Sequence, residues 1–146
     1  MSEQIPISTN PDDYAHWTTV TMRYSDQDAM QHINNVAVAA YLEAGRIGFL
    51  NDAMAGTSFQ HRGMVLGRVT IDFLNEILFE PEIRVGSRLV RVGTRSLNSQ
   101  YAIFQHGKCC VISESVNVFF DFEKRTSAPP PDDVLAQLKA RLKAGG

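Results

Sequence analysis

Apolar and polar positions alternate near the start of the chain, fuse into one solid apolar block, and then alternate again almost to the end. Over residues 17–24, Val20, Met22 and Tyr24 alternate with Thr19, Thr21 and Arg23, the two-residue period of a half-buried strand. Residues 36–50, VAVAAYLEAGRIGFL, are apolar almost all round. Such a block predicts a helix buried on every side, running to about residue 51 or 52 with Gly56 just past its exit. Its small residues, Ala37, Ala39, Ala40, Ala44, Gly45 and Gly48, let other backbone come close.

After a loop at 53–63 the period returns to two. Val65, Gly67, Val69, Ile71 and Phe73 alternate with Leu66, Arg68, Thr70 and Asp72 in a strand expected to end near Glu80 and Pro81. Further strands are expected over 82–93 and 96–105. His106-Gly107-Lys108 then turns the chain into a last strand reaching Phe122, with Val116, Val118, Phe120 and Phe122 on one face. Pro129, Pro130 and Pro131 stop the sheet. A short helix follows from Pro131 or Asp132, carrying Val134, Leu135, Leu138 and Leu142 on one face.

The order strand, buried helix, four long strands predicts an α+β fold: a curved antiparallel sheet wrapped around one long helix. A chain of 146 residues is expected to form one domain, with an irregular lead-in over 1–15 and the short helix within 132–146. A single sheet layer leaves strand edges and an outer face open, and pairing of two copies is the economical remedy.

Charge narrows the function classes. The net charge is -2 with both signs interspersed, which gives no electrostatic footprint for nucleic acid. No apolar run is long enough to span a bilayer, and Met1-Ser2-Glu3-Gln4 lacks a signal-peptide pattern, so a cytoplasmic location is expected. Cys109 and Cys110 are adjacent, point to opposite faces of a strand, and are expected to stay reduced.

The chemistry concentrates immediately before the apolar block. Asp26, Asp28, His32, Asn34 and Asn35 place two carboxylates, an imidazole and two amides in one short loop. Asn34 or Asn35 caps the helix. The free amides of the first turn, with the helix dipole, offer positive potential to an oxygen gaining negative charge. Asp28 is the candidate to attack a carbonyl carbon or to activate water. Asp26 is expected to be a turn residue, and Glu43 and Arg46 to pair across one helical turn. No Gly-x-Ser-x-Gly elbow or Cys/His pair supports other hydrolase mechanisms, and the acid spacing fits neither a calcium loop nor a zinc site.

The run Asp28-Ala29-Met30-Gln31-His32-Ile33-Asn34-Asn35, with Tyr41, Glu43 and Arg46 behind it, resembles the hotdog-fold acyl-CoA thioesterases of the 4-hydroxybenzoyl-CoA thioesterase type. Ile71-Asp72-Phe73, Gly86-Ser87, Thr94-Arg95-Ser96, the Gly107 hairpin and Asp121 extend the likeness over most of the chain. The resemblance implies a hotdog fold and hydrolysis of an acyl-CoA, with coenzyme A as part of the substrate and no separate cofactor. It implies Asp28 as the catalytic carboxylate and a backbone amide at Asn35 against the thioester oxygen. His32 is a further catalytic candidate. Gln31, Asn34 and Val36 lie at the mouth, and Arg95 and Ser96 match a segment that contacts the phosphates or pantetheine of coenzyme A. A homodimer or a dimer of dimers is implied, each site being built from two subunits. Gln31 departs from the usual Gly, Val38 stands where many members have Tyr, and Asn35 stands where a related branch has His. Two other functions suit the same residues: an enoyl-CoA hydratase using Asp28 with His32, and a non-catalytic module that binds acyl-CoA or an acyl carrier.

Overall fold

In the computed structural model, which describes residues 4–59 and 63–146, the alternating stretches form an antiparallel sheet that holds the apolar block. In chain order the elements are β1 (His16–Thr21), α1 (Asn35–Ala53), β2 (Met64–Phe73), β3 (Glu82–Val92), β4 (Ser96–Gln105), β5 (Lys108–Asp121), β6 (Thr126–Ser127) and α2 (Asp132–Lys143). The sheet order is β1-β3-β4-β5-β2, with the two-residue β6 pairing with β5. The lead-in contains a 3-10 turn, Pro11–Asp13, and a second one, Tyr24–Asp26, follows β1.

Alternation along β4 and β5 decides which side chains meet the helix. Leu97, Tyr101 and Ile103 of β4 and Val111 and Phe119 of β5 join one buried core cluster with Leu42 and Phe49 of α1, which are 1% and 0% exposed. Burying side chains of this size contributes about 1.5–3 kcal/mol each. Close approach depends on Gly45, because a Cβ built there would lie 2.6 Å from Val85 Cγ1. The sheet therefore sits against helix backbone.

α2 locks the far end of α1. Val134 and Leu138 are fully buried, Gln137 Nε2 donates to the carbonyls of Ala53 and Ala55, and Arg141 pairs with Asp52 at 2.8 Å. The two Gln137 bonds satisfy carbonyls at and just beyond the C-terminus of α1.

Several expectations need correction. α1 is not buried on every side: Ala37, Val38, Tyr41, Leu42, Phe49 and Leu50 face the core, but Val36 is 81% exposed and Ile47 44%. β1 stops at Thr21, and β2 ends at Phe73 because the amides of Leu74 and Asn75 both donate to the Cys110 carbonyl, turning the chain away. The expected Glu43–Arg46 pair does not form, since Glu43 faces solvent while Arg46 is buried. Part of the expected 53–63 loop, residues 60–62, lies outside the described residues. β2 is one edge of the sheet, opposite β1, and exposes Leu66, Val69 and Phe73.

Candidate active site

The loop before α1 is a small hairpin closed on Asp28. Its amide donates to the His32 carbonyl at 2.8 Å, and its carbonyl accepts from Gln31 N at 3.0 Å. Its Oδ1 accepts from the amides of Met30 (2.8 Å) and His32 (3.2 Å). Among the described residues nothing hydrogen-bonds Oδ2. One carboxylate oxygen thus holds the turn while the other stays free of it. The turn forces Gln31 to φ 63°, a left-handed conformation suited to glycine.

Asp26, two residues earlier, is a different kind of group. It is 2% exposed and accepts from Tyr41 Oη at 2.6 Å, Arg23 N at 3.0 Å and Arg23 Nε at 3.0 Å. Burial alone would raise its pKa, but the Tyr41 and Arg23 donors outweigh it and hold the carboxyl below the usual range. The same contact, added to burial, pushes the Tyr41 hydroxyl well above its ordinary value. Asp26 is therefore an anchor between loop and helix, consistent with a structural role rather than with chemistry.

Asn34 is the helix cap. Its side-chain oxygen accepts from Ala37 N at 2.8 Å, and its Nδ2 and backbone N–H both donate to the Asp26 carbonyl. The amides of Asn35 and Val36 are left without an acceptor among the described residues, as the first turn of a helix requires.

Asp28, His32 and Asn35 line one cavity of about 290 Å³, together with Val38, Phe73, Ile77 and Val111. Hence the three expected catalytic residues converge. Of the expected substrate contacts, Gln31, Asn34 and Val36 flank this cavity in sequence without lining it. Arg95 and Ser96 lie at the other end of β4, seven strand residues from the Ile103–Val111 pair, or about 24 Å. Arg95 donates instead to the Ser127 carbonyl at 3.0 Å. One chain alone does not bring them to Asp28.

Sequence reasoning missed Glu76. It follows β2, lines the same cavity, and its Oε2 lies 2.7 Å from His32 Nε2. The His32 side chain consequently pairs with Glu76, and His32 reaches Asp28 through its backbone N–H and carbonyl, not through the imidazole. The Asp28–His32 side-chain dyad needed by a hydratase does not form here. A larger concavity, about 940 Å³, lies across the other face of the sheet between the lead-in and Arg68, Asp72, Arg91 and Glu114. No helix start opens onto it, and none of Asp28, His32 and Asn35 lines it.

A family model described as the thioesterase-like superfamily matches residues 22–138, and the chain belongs to that family. Among solved structures, a predicted thioesterase from Bacillus stearothermophilus is 31% identical, with 86% of this chain and 95% of that one covered and a TM-score of 0.76. A thioesterase from Thermus thermophilus, solved with coenzyme A and Zn, is 25% identical over 87% of this chain and 93% of that one, with a TM-score of 0.74. The uncharacterized protein YsmA of Bacillus subtilis (strain 168) is 25% identical over 88 residues, and the match spans 60% of this chain and 60% of that relative's length. The architecture is the hotdog fold expected from the loop motif.

Proposed function

We propose that this protein hydrolyses the thioester of an acyl-CoA, releasing the free acid and coenzyme A. One observation carries the reading: Asp28, with a carboxylate oxygen unengaged among the described residues, and Asn35, with an amide likewise unengaged at the start of α1, line the same small cavity. The two groups meet the two needs of the reaction. Asp28 supplies the nucleophile, directly or by taking a proton from water. The Asn35 amide, at the positive end of the helix, stabilises the oxyanion; removing one such donor from a serine protease costs about 3–4 kcal/mol. The coenzyme A bound in the Thermus thermophilus relative supports the choice of thiol.

The acyl group enters between Val38, Phe73 and Val111, and a second copy of the chain covers the cavity from the exposed β2 side. In such a dimer Arg95 and Ser96, too far away within one chain, serve the coenzyme A of the partner's site.

Thiol release from a panel of acyl-CoAs, measured beside Asp28→Asn, tests the proposal. Asparagine keeps an oxygen for the Met30 and His32 amides, so the hairpin is retained while the base is lost. At least one acyl-CoA should be turned over by the wild type, and Asp28→Asn should lower kcat by about 10³-fold or more with an unchanged unfolding midpoint. Full activity in that variant would remove Asp28 from the chemistry.

A further inference from the structure

Beyond Asp28 and the helix amide, the cavity holds one more titratable pair, His32 and Glu76, and nothing so far explains why it is built there. Stability is a weak reason. The two side chains are 40% and 55% exposed, and an ion pair so placed contributes at most about 1 kcal/mol. Yet both residues are held firmly by backbone. His32 is fixed at both ends to Asp28, its N–H on Oδ1 and its carbonyl on the Asp28 amide. Glu76 lies between two anchors. On one side Asn75 Nδ2 donates to the Cys109 carbonyl at 2.8 Å; on the other, Leu78 N donates to Gln105 Oε1 and its carbonyl accepts from Gln105 Nε2. Ile33 N donates to the Ile77 carbonyl at 2.9 Å, tying the two segments together directly.

An imidazole presented in this way, beside a base and an oxyanion donor, fits the third task of thioester cleavage. An alkyl thiolate is a poorer leaving group than an aryl one and gains from being protonated as it departs. Building on the thioesterase reading above, we propose that His32, oriented by Glu76, is the proton donor to the departing sulfur. Glu76 accepts from Nε2 and keeps that proton in place, so the proton that moves is the one on Nδ1. In the step, Asp28 Oδ2 takes a proton from water and the water oxygen bonds to the acyl carbon. The carbon–sulfur bond then breaks with its electron pair on sulfur, and sulfur takes the Nδ1 proton of the imidazolium. Asp28 returns its proton to solvent and His32 is reprotonated from solvent, leaving acid and thiol as the only products. Asp28, His32 and Glu76 are the titratable groups lining the cavity among the described residues, so each of the three has one assigned part. His32 acts on the substrate, and Glu76 is a positioning residue.

The test varies only the leaving group. One acyl group is offered as its coenzyme A thioester and as its thionitrobenzoate ester, whose aryl thiolate leaves without help. His32→Gln, Glu76→Gln, Glu76→Asp and Asp28→Asn are compared with the wild type, each checked for an unchanged unfolding midpoint. His32→Gln should lower kcat for the coenzyme A ester by about 10²-fold or more, within the usual range for a lost general acid, and change the aryl ester less than about threefold. Glu76→Gln should show a smaller loss with the same leaving-group bias, partly restored in Glu76→Asp. A merely structural pair would slow both esters alike. Equal slowing of both, or of neither, overturns the proton-donor role while an inactive Asp28→Asn still upholds the hydrolase. A wild type inert on both esters, or an Asp28→Asn as fast as wild type, overturns the hydrolase reading and this proposal with it.

Discussion

Gln31 shows how much a single backbone angle constrains the site. At φ 63° a side chain costs about 1–2 kcal/mol relative to a right-handed or extended conformation, and the exposed Gln31 side chain makes no hydrogen bond among the described residues to offset it. Glycine removes that strain but loses more backbone entropy on folding, about 0.5–1 kcal/mol. Gln31→Gly should therefore stabilise the protein by up to about 1.5 kcal/mol, read from urea unfolding; a loss of more than about 0.5 kcal/mol would show that the glutamine side chain makes contacts of its own. The need for a left-handed residue here was visible in the sequence through the resemblance, which places Gly at this position. Glu76 was not visible, because its pairing with His32 depends on the Ile33–Ile77 hydrogen bond joining two segments far apart in the chain. No spacing rule reaches across that gap.

Between elements, the Asp26–Tyr41 contact joins the Asp28 loop to the second turn of α1, setting the helix start that Asn35 presents to the cavity. Tyr41→Phe removes a donor from a buried carboxylate and should cost about 1.5–3 kcal/mol at neutral pH, the range for hydrogen bonds to charged groups. The pH dependence has a definite sign. Burial opposes ionisation of Asp26, but its donors win and its folded pKa is lowered, so its stabilisation is complete above the unfolded carboxyl pKa and is lost as pH falls through the folded one. The gap between wild type and Tyr41→Phe, measured as urea midpoints, should be widest near pH 7 and narrow steadily in acid. A gap independent of pH would mean that Tyr41 acts through packing alone. At this scale the sequence was largely legible: periodicity gave the strands, and the Asn34 cap and Asp132 start gave the helices to within a residue or two. Two errors share one cause. The apolar residues Val36 and Ile47 on α1, and Leu74 and Leu78 after β2, suggested a longer core than the chain builds for itself. Composition marks a surface as apolar without saying whose surface covers it.

For the whole molecule, the exposed apolar residues of β2 and α1 form the strongest argument for a second copy. β2 is a ten-residue edge strand, and Leu66, Val69 and Phe73 are exposed on it while Val36 and Ile47 are exposed on α1. A long apolar edge left open templates aggregation, and a two-fold pairing of β2 with its copy closes it with one self-complementary contact. The same pairing would complete the cavity, since Phe73, at the end of the open strand, forms part of its wall. Assembly and catalysis are thus expected to fail together. Sedimentation equilibrium of the wild type should give at least twice the 16.3 kDa chain mass. Val69→Glu puts a charge on the edge strand away from Asp28, His32 and Asn35, and should return the mass to that of one chain while lowering thiol release at least about tenfold, as expected when substrate-positioning surface is lost. A monomeric wild type, or a monomeric Val69→Glu with full activity, would show that one chain makes the whole site and that the exposed edge serves some other contact.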